Sequence, residues 1–186
     1  AASVKEEIAF ELQHEDLAGI FGKLLENGEV PLRVTHNDTK LNNIMIDLET
    51  GKGICVVDLD TVMPGLAMND FGDAIRFGAS TALEDEKDLS KVSCDMELYE
   101  IYVKGFLESC GDKLNAREIE MLPMGAKVMT YECGIRFLTD YLEGDHYFKI
   151  DREDHNLDRC RTQFKLVADM EQKWEQMQAI VKKYQK

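Results

Sequence analysis

The sequence predicts a mainly helical α+β domain that contains one small β-hairpin. Two apolar, strand-like runs at 43–47 and 54–60 flank the turn-forming stretch LETGKG, which is the pattern of a hairpin. Much of the remaining chain repeats apolar residues at spacings of three and four, as amphipathic helices do. With 186 residues, 44% of them hydrophobic, the chain can bury one core.

Two helices are predicted ahead of the hairpin. Apolar residues recur at helical spacing from Ser3 to about Gln13, and again from Leu17 to a stop at Asn27 and Gly28. The apolar positions of both segments are expected in the core: Val4, Ile8, Leu12, Leu17, Ile20, Phe21, Leu24 and Leu25.

The segment after the hairpin begins with a turn signal at Pro64 and Gly65. Asn69 or Asp70 is a candidate N-cap for the short helix that follows. The strongly polar residues 81–95 are then expected to form an exposed loop whose charges are solvated.

Further helices are predicted beyond this loop. One ends at Gly111, and Asn115 with Glu118 forms a capping start for the next. Pro123 either breaks that helix or begins another, whose apolar pattern continues to a C-cap at Gly144. From 154 to the C-terminal end, a regular apolar pattern predicts one long helix that packs across the domain, with a coiled coil as the alternative.

The polar residues around the hairpin are the candidates for chemistry. Asp38 and Asn43 lie at the start of the first run, and Asp58 lies at the end of the second, so a hairpin can bring the three together. Carboxylate and amide oxygens are hard ligands that suit Mg²⁺ rather than zinc. A carboxylate left off the metal could accept the proton of an attacking hydroxyl. An Asp base, an Asn five residues later and a second Asp after the next turn follow the template of phosphoryl transfer.

The strings HNDTKLNNI and VVDLD resemble the catalytic and metal-binding loops of the aminoglycoside phosphotransferase and choline kinase family, which has a protein-kinase-like fold. Within that family, THNDTKLNNIMID, ICVVDLDTVMPG and NDFGDAIRFG are most similar to the N-acetylhexosamine 1-kinases. Those enzymes phosphorylate the anomeric hydroxyl of N-acetylglucosamine or N-acetylgalactosamine. The resemblance covers about the whole chain, as the helical C-terminal lobe of such an enzyme with a small catalytic-loop hairpin.

The resemblance implies a role for each matching residue. Asp38 would be the catalytic base, Asn43 and Asp58 would bind Mg²⁺, and ATP would be the phosphoryl donor. Asp60 would lie beside the metal site. Asp70 opens a DFG tripeptide, but Asp58 already holds the place of the metal-binding Asp. Asp70 would instead brace the catalytic loop through backbone hydrogen bonds.

Several nearby residues have two interpretations. His36 is either a proton carrier or a residue that ties the loop backbone together, and Lys40 is either solvated or a cation near the transferred phosphate. Asp73 and Arg76, three apart on a helix, either pair with each other or face the acceptor. Phe77 either packs in the core or, as the resemblance implies, walls the sugar site.

Arg136 lies within the apolar stretch GIRFL and is therefore expected to be buried. A buried arginine needs an anionic partner, so either Asp140 pairs with it or it points into the active site. The resemblance makes Arg136 and Tyr147 candidates for binding the sugar.

Composition limits the partners. A net charge of −14 argues against nucleic acid and against anionic membranes. No apolar run approaches the roughly 20 residues needed to span a bilayer, and no secretion signal opens the sequence. Five widely spaced cysteines indicate free thiols rather than zinc ligands, so a cytoplasmic location is expected.

The expected function is ATP-dependent phosphorylation of an N-acetylhexosamine, with choline, homoserine or an aminoglycoside as alternative acceptors. No glycine-rich phosphate loop or strand lysine precedes Thr35. Residues 1–186 are therefore expected to be the C-terminal lobe of a kinase whose nucleotide-binding N-terminal lobe is absent, and to be inactive alone. A non-catalytic binding domain and a metal-dependent hydrolase are alternatives from other classes.

Overall fold

The structure is a computed structural model that describes residues 4–185. Within these residues the chain forms eight α-helices and four short β-strands, which confirms the predicted mainly helical α+β class. The helices are α1 (Lys5–Gln13), α2 (Ile20–Glu26), α3 (Ala67–Gly78), α4 (Met96–Cys110), α5 (Ala116–Glu120), α6 (Leu122–Glu143), α7 (His155–Gln172) and α8 (Trp174–Tyr184). The strands are β1 (Arg33–Thr35), β2 (Ile44–Ile46), β3 (Gly53–Val56) and β4 (Met63–Gly65).

The predicted hairpin is formed by β2 and β3, which pair antiparallel. The second strand ends earlier than predicted, because Asp58 takes the left-handed conformation with a φ of 62°. A 3-10 turn at Leu59–Thr61 follows it directly. The chain therefore turns away from the hairpin at the position of the two candidate aspartates.

A second two-stranded sheet pairs β1 with β4, with Thr35 opposite Met63. The predicted turn at Pro64 and Gly65 is wrong, because both residues belong to β4. A Cβ atom at Gly65 would lie 2.3 Å from the Thr35 Oγ1, so only glycine allows the two strands to approach this closely. This sheet brings the segment after the hairpin back to the segment before it.

The core of the domain lies where α6 packs between α3 and α7. The crossing of α3 and α6 is very close, since a Cβ atom at Gly72 would lie 2.2 Å from the Gly125 carbonyl oxygen. Phe71, beside this crossing, is completely buried. The glycine of the DFG tripeptide thus serves helix packing, and it fixes the position of α3.

The first two helices confirm most of the predicted core. The predicted start at Ser3 lies outside the described residues. Leu12 and Leu25 are exposed, so their predicted burial is wrong. Glu7 instead occupies the buried face of α1, where it accepts a hydrogen bond from Arg161 at 2.5 Å. The other predicted core residues are buried or partly buried: Val4, Ile8, Leu17, Ile20, Phe21 and Leu24.

The predicted helix ends in the middle of the chain are confirmed. Asn115 and Glu118 form a reciprocal capping box at the start of α5. Pro123 lies in the first turn of α6, so it begins a helix rather than breaking one. Gly144 ends α6 in the left-handed conformation, with a φ of 101°.

The predicted single C-terminal helix is wrong, because the chain breaks between α7 and α8 at Lys173. The Lys173 ammonium donates to the Asp169 carboxylate at 2.7 Å and to the Cys94 carbonyl at 2.8 Å, which holds the break against the start of α4. The break allows α8 to pack on α4, so Met177 and Val181 are buried within the chain. The apolar pattern therefore serves intramolecular packing, as predicted, and not a coiled coil.

The cysteines are all free thiols: Cys55, Cys94, Cys110, Cys133 and Cys160. Burial raises the pKa of Cys94 to about 12, so this thiol is protonated near neutral pH.

Within residues 4–185, no helix combines the length and the apolar character needed to cross a bilayer.

Candidate active site

The loop between β1 and β2 carries Asp38 and is held by Asp70 on the first turn of α3. The Asp70 carboxylate accepts hydrogen bonds from the backbone N–H groups of His36 and Asn37, each at 2.8 Å. These are bonds of the kind that the resemblance implies for Asp70. The predicted capping role of Asn69 or Asp70 is wrong, because α3 begins at Ala67 and has no side-chain cap.

A second set of bonds joins this loop to the chain after the hairpin. Asn37, which has a φ of 64°, donates from Nδ2 to the Thr61 carbonyl at 2.9 Å. Thr61 Oγ1 donates to the His36 carbonyl at 2.7 Å. His36 Nε2 lies 3.1 Å from the Val57 carbonyl, and since a carbonyl can only accept, Nε2 carries the proton. His36 thus ties the loop backbone together.

Asp38 is held through only one of its carboxylate oxygens. Asn43 Nδ2 donates to Asp38 Oδ2 at 2.7 Å and to the Asp38 carbonyl at 2.9 Å. Lys40 Nζ lies 3.0 Å from the same Oδ2, an ion pair that neither interpretation of Lys40 included. Among residues 4–185 nothing donates to Asp38 Oδ1, so this oxygen is available to accept a proton from a substrate.

The two predicted metal ligands lie on neighbouring backbone segments. The Asn43 carbonyl accepts a hydrogen bond from the Val57 N–H at 2.9 Å, which places Asp58, the next residue, beside the loop. The Asn43 amide uses Nδ2 for Asp38, which leaves its Oδ1 uncommitted. Asp58 and Asp60 are both exposed, and neither side chain has a hydrogen-bond or ion-pair partner in the described part of the chain.

These oxygen donors fit a cation that takes only part of its coordination from protein. In residues 4–185 no three His, Cys, Asp or Glu side chains are close enough to hold a metal ion on their own. Mg²⁺ commonly uses one or two protein oxygens and completes its shell with phosphates and water. Asn43 and Asp58 match that pattern.

A cleft of about 550 Å³ extends from Asp38 across α3 and α6 to the segment after Gly144. It brings together five predicted site residues: Asp38, Lys40, Phe77, Arg136 and Tyr147. Its other lining residues are Asn37, Thr61, Asp73, Arg76, Glu84, Met129, Glu132, Cys133, Phe137, Phe148, Lys149 and Arg159. The other predicted site residues do not line this cleft: His36, Asn43, Asp58, Asp60 and Asp70.

Arg136 is exposed, so its predicted burial is wrong. Its guanidinium carbon lies 5.7 Å from the centre of the Tyr147 ring and 5.4 Å from that of Phe148. The flat guanidinium thereby packs on aromatic faces, which explains an arginine within an apolar stretch. Within the described residues Arg136 forms no ion pair, so its donors are free for a ligand in the cleft.

Asp140 has a different role from the predicted pairing with Arg136. Its carboxylate accepts the backbone N–H groups of His146, Tyr147 and Phe148 at 2.7–2.9 Å, and Asn156 Nδ2 at 2.9 Å. Burial opposes ionisation, but the backbone donors outweigh it and lower the pKa of Asp140. Asp140 therefore fixes the segment that carries Tyr147.

Asp73 and Arg76 pair with each other, which confirms the first of their two interpretations, and both also line the cleft. Arg76 donates to Asp73 Oδ1 from Nε and Nη2, at 3.1 and 3.0 Å, and from Nη1 to Glu84 Oε1 at 2.7 Å. Burial would lower the pKa of Arg76, but the two carboxylates outweigh it and raise that pKa. Burial also raises the pKa of the adjacent Cys133 thiol to about 12, which excludes a thiolate nucleophile near neutral pH.

The sequence did not identify Glu84, which belongs to the charge run assigned to solvent. Glu84 forms an ion pair with Arg76 eight residues earlier, and a contact between a helix and the loop after it leaves no periodic signal in the sequence. Glu132 and Arg159 also line the cleft and were not predicted to do so.

The charge of the cleft differs from that of the whole protein. Its lining contains four carboxylates and five basic side chains, although the protein carries a net charge of −14. Four aromatic rings accompany them: Phe77, Phe137, Tyr147 and Phe148. The cleft therefore combines a balanced set of hydrogen-bonding groups with apolar walls, as small-molecule sites do.

The family model of the phosphotransferase enzyme family (APH) matches residues 1–100, just over half of the chain. The chain belongs to the phosphotransferase enzyme family. The matched region contains Asp38, Asn43 and Asp58, while Arg136 and Tyr147 lie beyond it. Membership of the aminoglycoside phosphotransferase family, and with it phosphotransferase chemistry on small molecules, is thus confirmed.

Proposed function

We propose that this phosphotransferase transfers the γ-phosphoryl group of ATP to the anomeric hydroxyl of an N-acetylhexosamine, with Asp38 as the base. The observation that carries the proposal is the state of the Asp38 carboxylate. Oδ2 is held by Asn43 and Lys40, while Oδ1 is free and Asp38 lines the cleft. A carboxylate fixed on one side and open on the other is suited to accept a proton from a bound hydroxyl.

In the proposed step, Asp38 Oδ1 takes the proton of the acceptor hydroxyl as the new O–P bond forms and the bond to ADP breaks. Asn43 and Lys40 keep the carboxylate oriented throughout.

Asn43 Oδ1 and the Asp58 carboxylate would hold Mg²⁺. When bound, Mg²⁺ offsets the charge on the phosphates of ATP. Asp58 contributes a side chain without another partner among the described residues, so no existing bond has to break for it to bind the ion.

The balanced charge of the cleft supports a neutral acceptor over choline or an aminoglycoside. A quaternary ammonium binds best on open aromatic faces, but the Arg136 guanidinium already packs on Tyr147 and Phe148. A second cation there would be repelled. A neutral sugar can instead pack on the aromatic walls and accept hydrogen bonds from Arg136. The resemblance of the surrounding motifs supports an N-acetylhexosamine among neutral sugars.

We also propose that the described fold works as the C-terminal lobe of the enzyme, against a nucleotide-binding partner lobe. The hairpin exposes apolar side chains on its surface, with Met45, Ile54 and Val56 50–63% exposed. A two-stranded hairpin is marginally stable by itself, and contiguous exposed apolar residues mark interaction surfaces. The hairpin adjoins the proposed metal site, where ATP would have to bind.

The proposal is tested by measuring ADP release from Mg-ATP by the full-length protein. The acceptors are N-acetylglucosamine, N-acetylgalactosamine, glucose, choline, homoserine and kanamycin. We expect release with the N-acetylhexosamines and none with the cationic acceptors. Asp38→Asn should abolish it, while Glu6→Gln, which changes an exposed carboxylate on α1 away from the cleft and the hairpin, should not. Turnover only with a cationic acceptor, or none with any acceptor, would contradict the proposal.

A further inference from the structure

Glu84 presents an unused carboxylate oxygen in the acceptor cleft. Its Oε1 accepts the hydrogen bond from Arg76, while Oε2 has no hydrogen-bond or ion-pair partner among residues 4–185. The Glu84 side chain is 32% exposed and lines the cleft, so a ligand can reach it. The Arg76 ion pair prevents the side chain from moving freely, which makes Glu84 a preorganised acceptor of hydrogen bonds.

Asp73 provides a second, independent indication that a donor belongs here. The residue is only 7% exposed, yet its Oδ2 has no hydrogen-bond partner in the described structure. A buried carboxylate oxygen without a donor destabilises the folded protein. Because Asp73 also lines the cleft, a hydroxyl group bound at the cleft floor could supply the missing donor.

Arg76 connects the two carboxylates. It uses Nε and Nη2 for Asp73 and Nη1 for Glu84, so both acids are held by the guanidinium of one residue, which is only 9% exposed. Each carboxylate accepts from Arg76 through one oxygen, and its other oxygen has no hydrogen-bond partner among the described residues. Two fixed acceptors held by one guanidinium suit a ligand that offers more than one hydroxyl group.

We infer that Glu84, positioned by Arg76, is a specificity-determining residue that accepts a hydrogen bond from a sugar hydroxyl other than the one that is phosphorylated. The inference rests on the proposed function and extends it to the ring hydroxyls of the acceptor. Arg76 balances one of the two carboxylate charges, and Arg136, Lys149 and Arg159 also line the cleft and offset the other. The site therefore suits polyhydroxylated neutral acceptors. A monohydroxyl acceptor leaves the two carboxylate oxygens without donors.

The test compares Glu84→Gln with the wild type on N-acetylglucosamine and on its 3-deoxy, 4-deoxy and 6-deoxy analogues. Kinetics with Mg-ATP and calorimetric binding of each sugar are measured on the full-length protein. The control is Glu86→Gln, a carboxylate in the same loop that does not line the cleft. Arg76 itself is left intact, because its replacement would leave both carboxylates without their ion-pair partner, and that of Asp73 is buried.

We expect Glu84→Gln to raise the KM for N-acetylglucosamine about tenfold and to leave kcat within about twofold, since the lost contact exists before and during reaction. One deoxy analogue lacks the hydroxyl that bonds to Glu84, so the wild type already binds it weakly. For that analogue, Glu84→Gln should cause no further loss of affinity. Glu86→Gln should change neither constant. An equal loss of affinity for every analogue would reveal a merely structural role of Glu84 and overturn the inference. Unchanged affinity for N-acetylglucosamine in Glu84→Gln would overturn it as well.

The same measurements distinguish failure of the proposed function from failure of the role of Glu84. A wild-type protein that neither phosphorylates nor binds any of the sugars would refute the acceptor class, and with it the role of Glu84. A wild type that uses the sugars while Glu84→Gln behaves like Glu86→Gln would refute only the role of Glu84.

Discussion

Asn43 donates a hydrogen bond from Nδ2 to Oδ2 of Asp38 over 2.7 Å. A carboxamide that donates through nitrogen leaves its oxygen for another partner. One side chain can therefore orient the proposed base and, through Oδ1, bind the metal ion. This relationship would couple the position of Asp38 to occupancy of the proposed metal site.

Replacing Asn43 tests that coupling. We expect Asn43→Ala to raise the Mg²⁺ concentration needed for half-maximal activity by about tenfold or more, since a ligand and an orienting bond are lost together. The measurement is an Mg²⁺ titration of kcat at saturating ATP. Asn42→Ala, which changes the exposed neighbouring residue, is the control. An unchanged Mg²⁺ requirement in Asn43→Ala would show that Asn43 does not bind the ion.

Removing Asp70 should loosen the loop that carries Asp38. Asp70→Ala leaves the backbone N–H groups of His36 and Asn37 without their acceptor, at a cost of about 2 kcal/mol or more for bonds to a charged group. We expect faster amide hydrogen exchange at these two residues and a lower kcat. Asp16→Ala, which removes an exposed carboxylate, should leave both unchanged. Undisturbed exchange at Asn37 in Asp70→Ala would refute the bracing role.

The crossing of α3 and α6 predicts opposite effects of alanine at two glycines. A methyl group at Gly72 would meet the Gly125 carbonyl oxygen at 2.2 Å, so Gly72→Ala should destabilise the protein by about 2–3 kcal/mol. At Gly105 on α4 nothing lies within 4 Å of the added atom, so Gly105→Ala should stabilise by about 0.5–1 kcal/mol. Urea unfolding of both variants measures the difference. Equal stability of the two would contradict the close crossing.

The lowered pKa of Asp140 predicts how the Tyr147 segment responds to pH. A carboxyl group whose pKa is lower in the folded state stabilises the fold above its unfolded pKa of about 3.9, and this contribution is lost as pH falls through the folded value. Asp140→Asn should therefore lower Tm near pH 7, and the gap to the wild type should narrow below about pH 4. Thermal unfolding between pH 7 and 3 measures this gap. A gap that does not change with pH would contradict the role of the Asp140 charge.

The sequence alone was sufficient to predict those parts of the secondary structure that depend on residues close together in the chain. The hairpin, the capping box at Asn115 and the C-cap at Gly144 depend on local propensity and were predicted correctly. The break at Lys173 was not predictable in this way, because the apolar pattern continues through it and the Lys173 side chain bonds to the Cys94 carbonyl, which is distant in the sequence. Pro64 was misassigned for the same reason, since its strand forms only by pairing with β1.

In the candidate site, too, the features that depend on order along the chain were predicted, and those that depend on tertiary contacts were not. The order of Asp38, Asn43 and Asp58 along the chain was enough to suggest their chemistry before any geometry was known. Arg136 was expected to be buried because its neighbours are apolar, but it lies exposed on two aromatic rings. Glu84 resembled any solvated acid until the fold placed it against Arg76.

The most direct test of the central claim is the turnover of Asp38→Asn compared with the wild type at saturating Mg-ATP and N-acetylglucosamine. The variant keeps the size of the side chain and removes the base. The account predicts that kcat falls by about a thousandfold while the calorimetric affinity for the sugar changes little. A variant that retains most of its kcat would contradict the assignment of Asp38 as the proton acceptor.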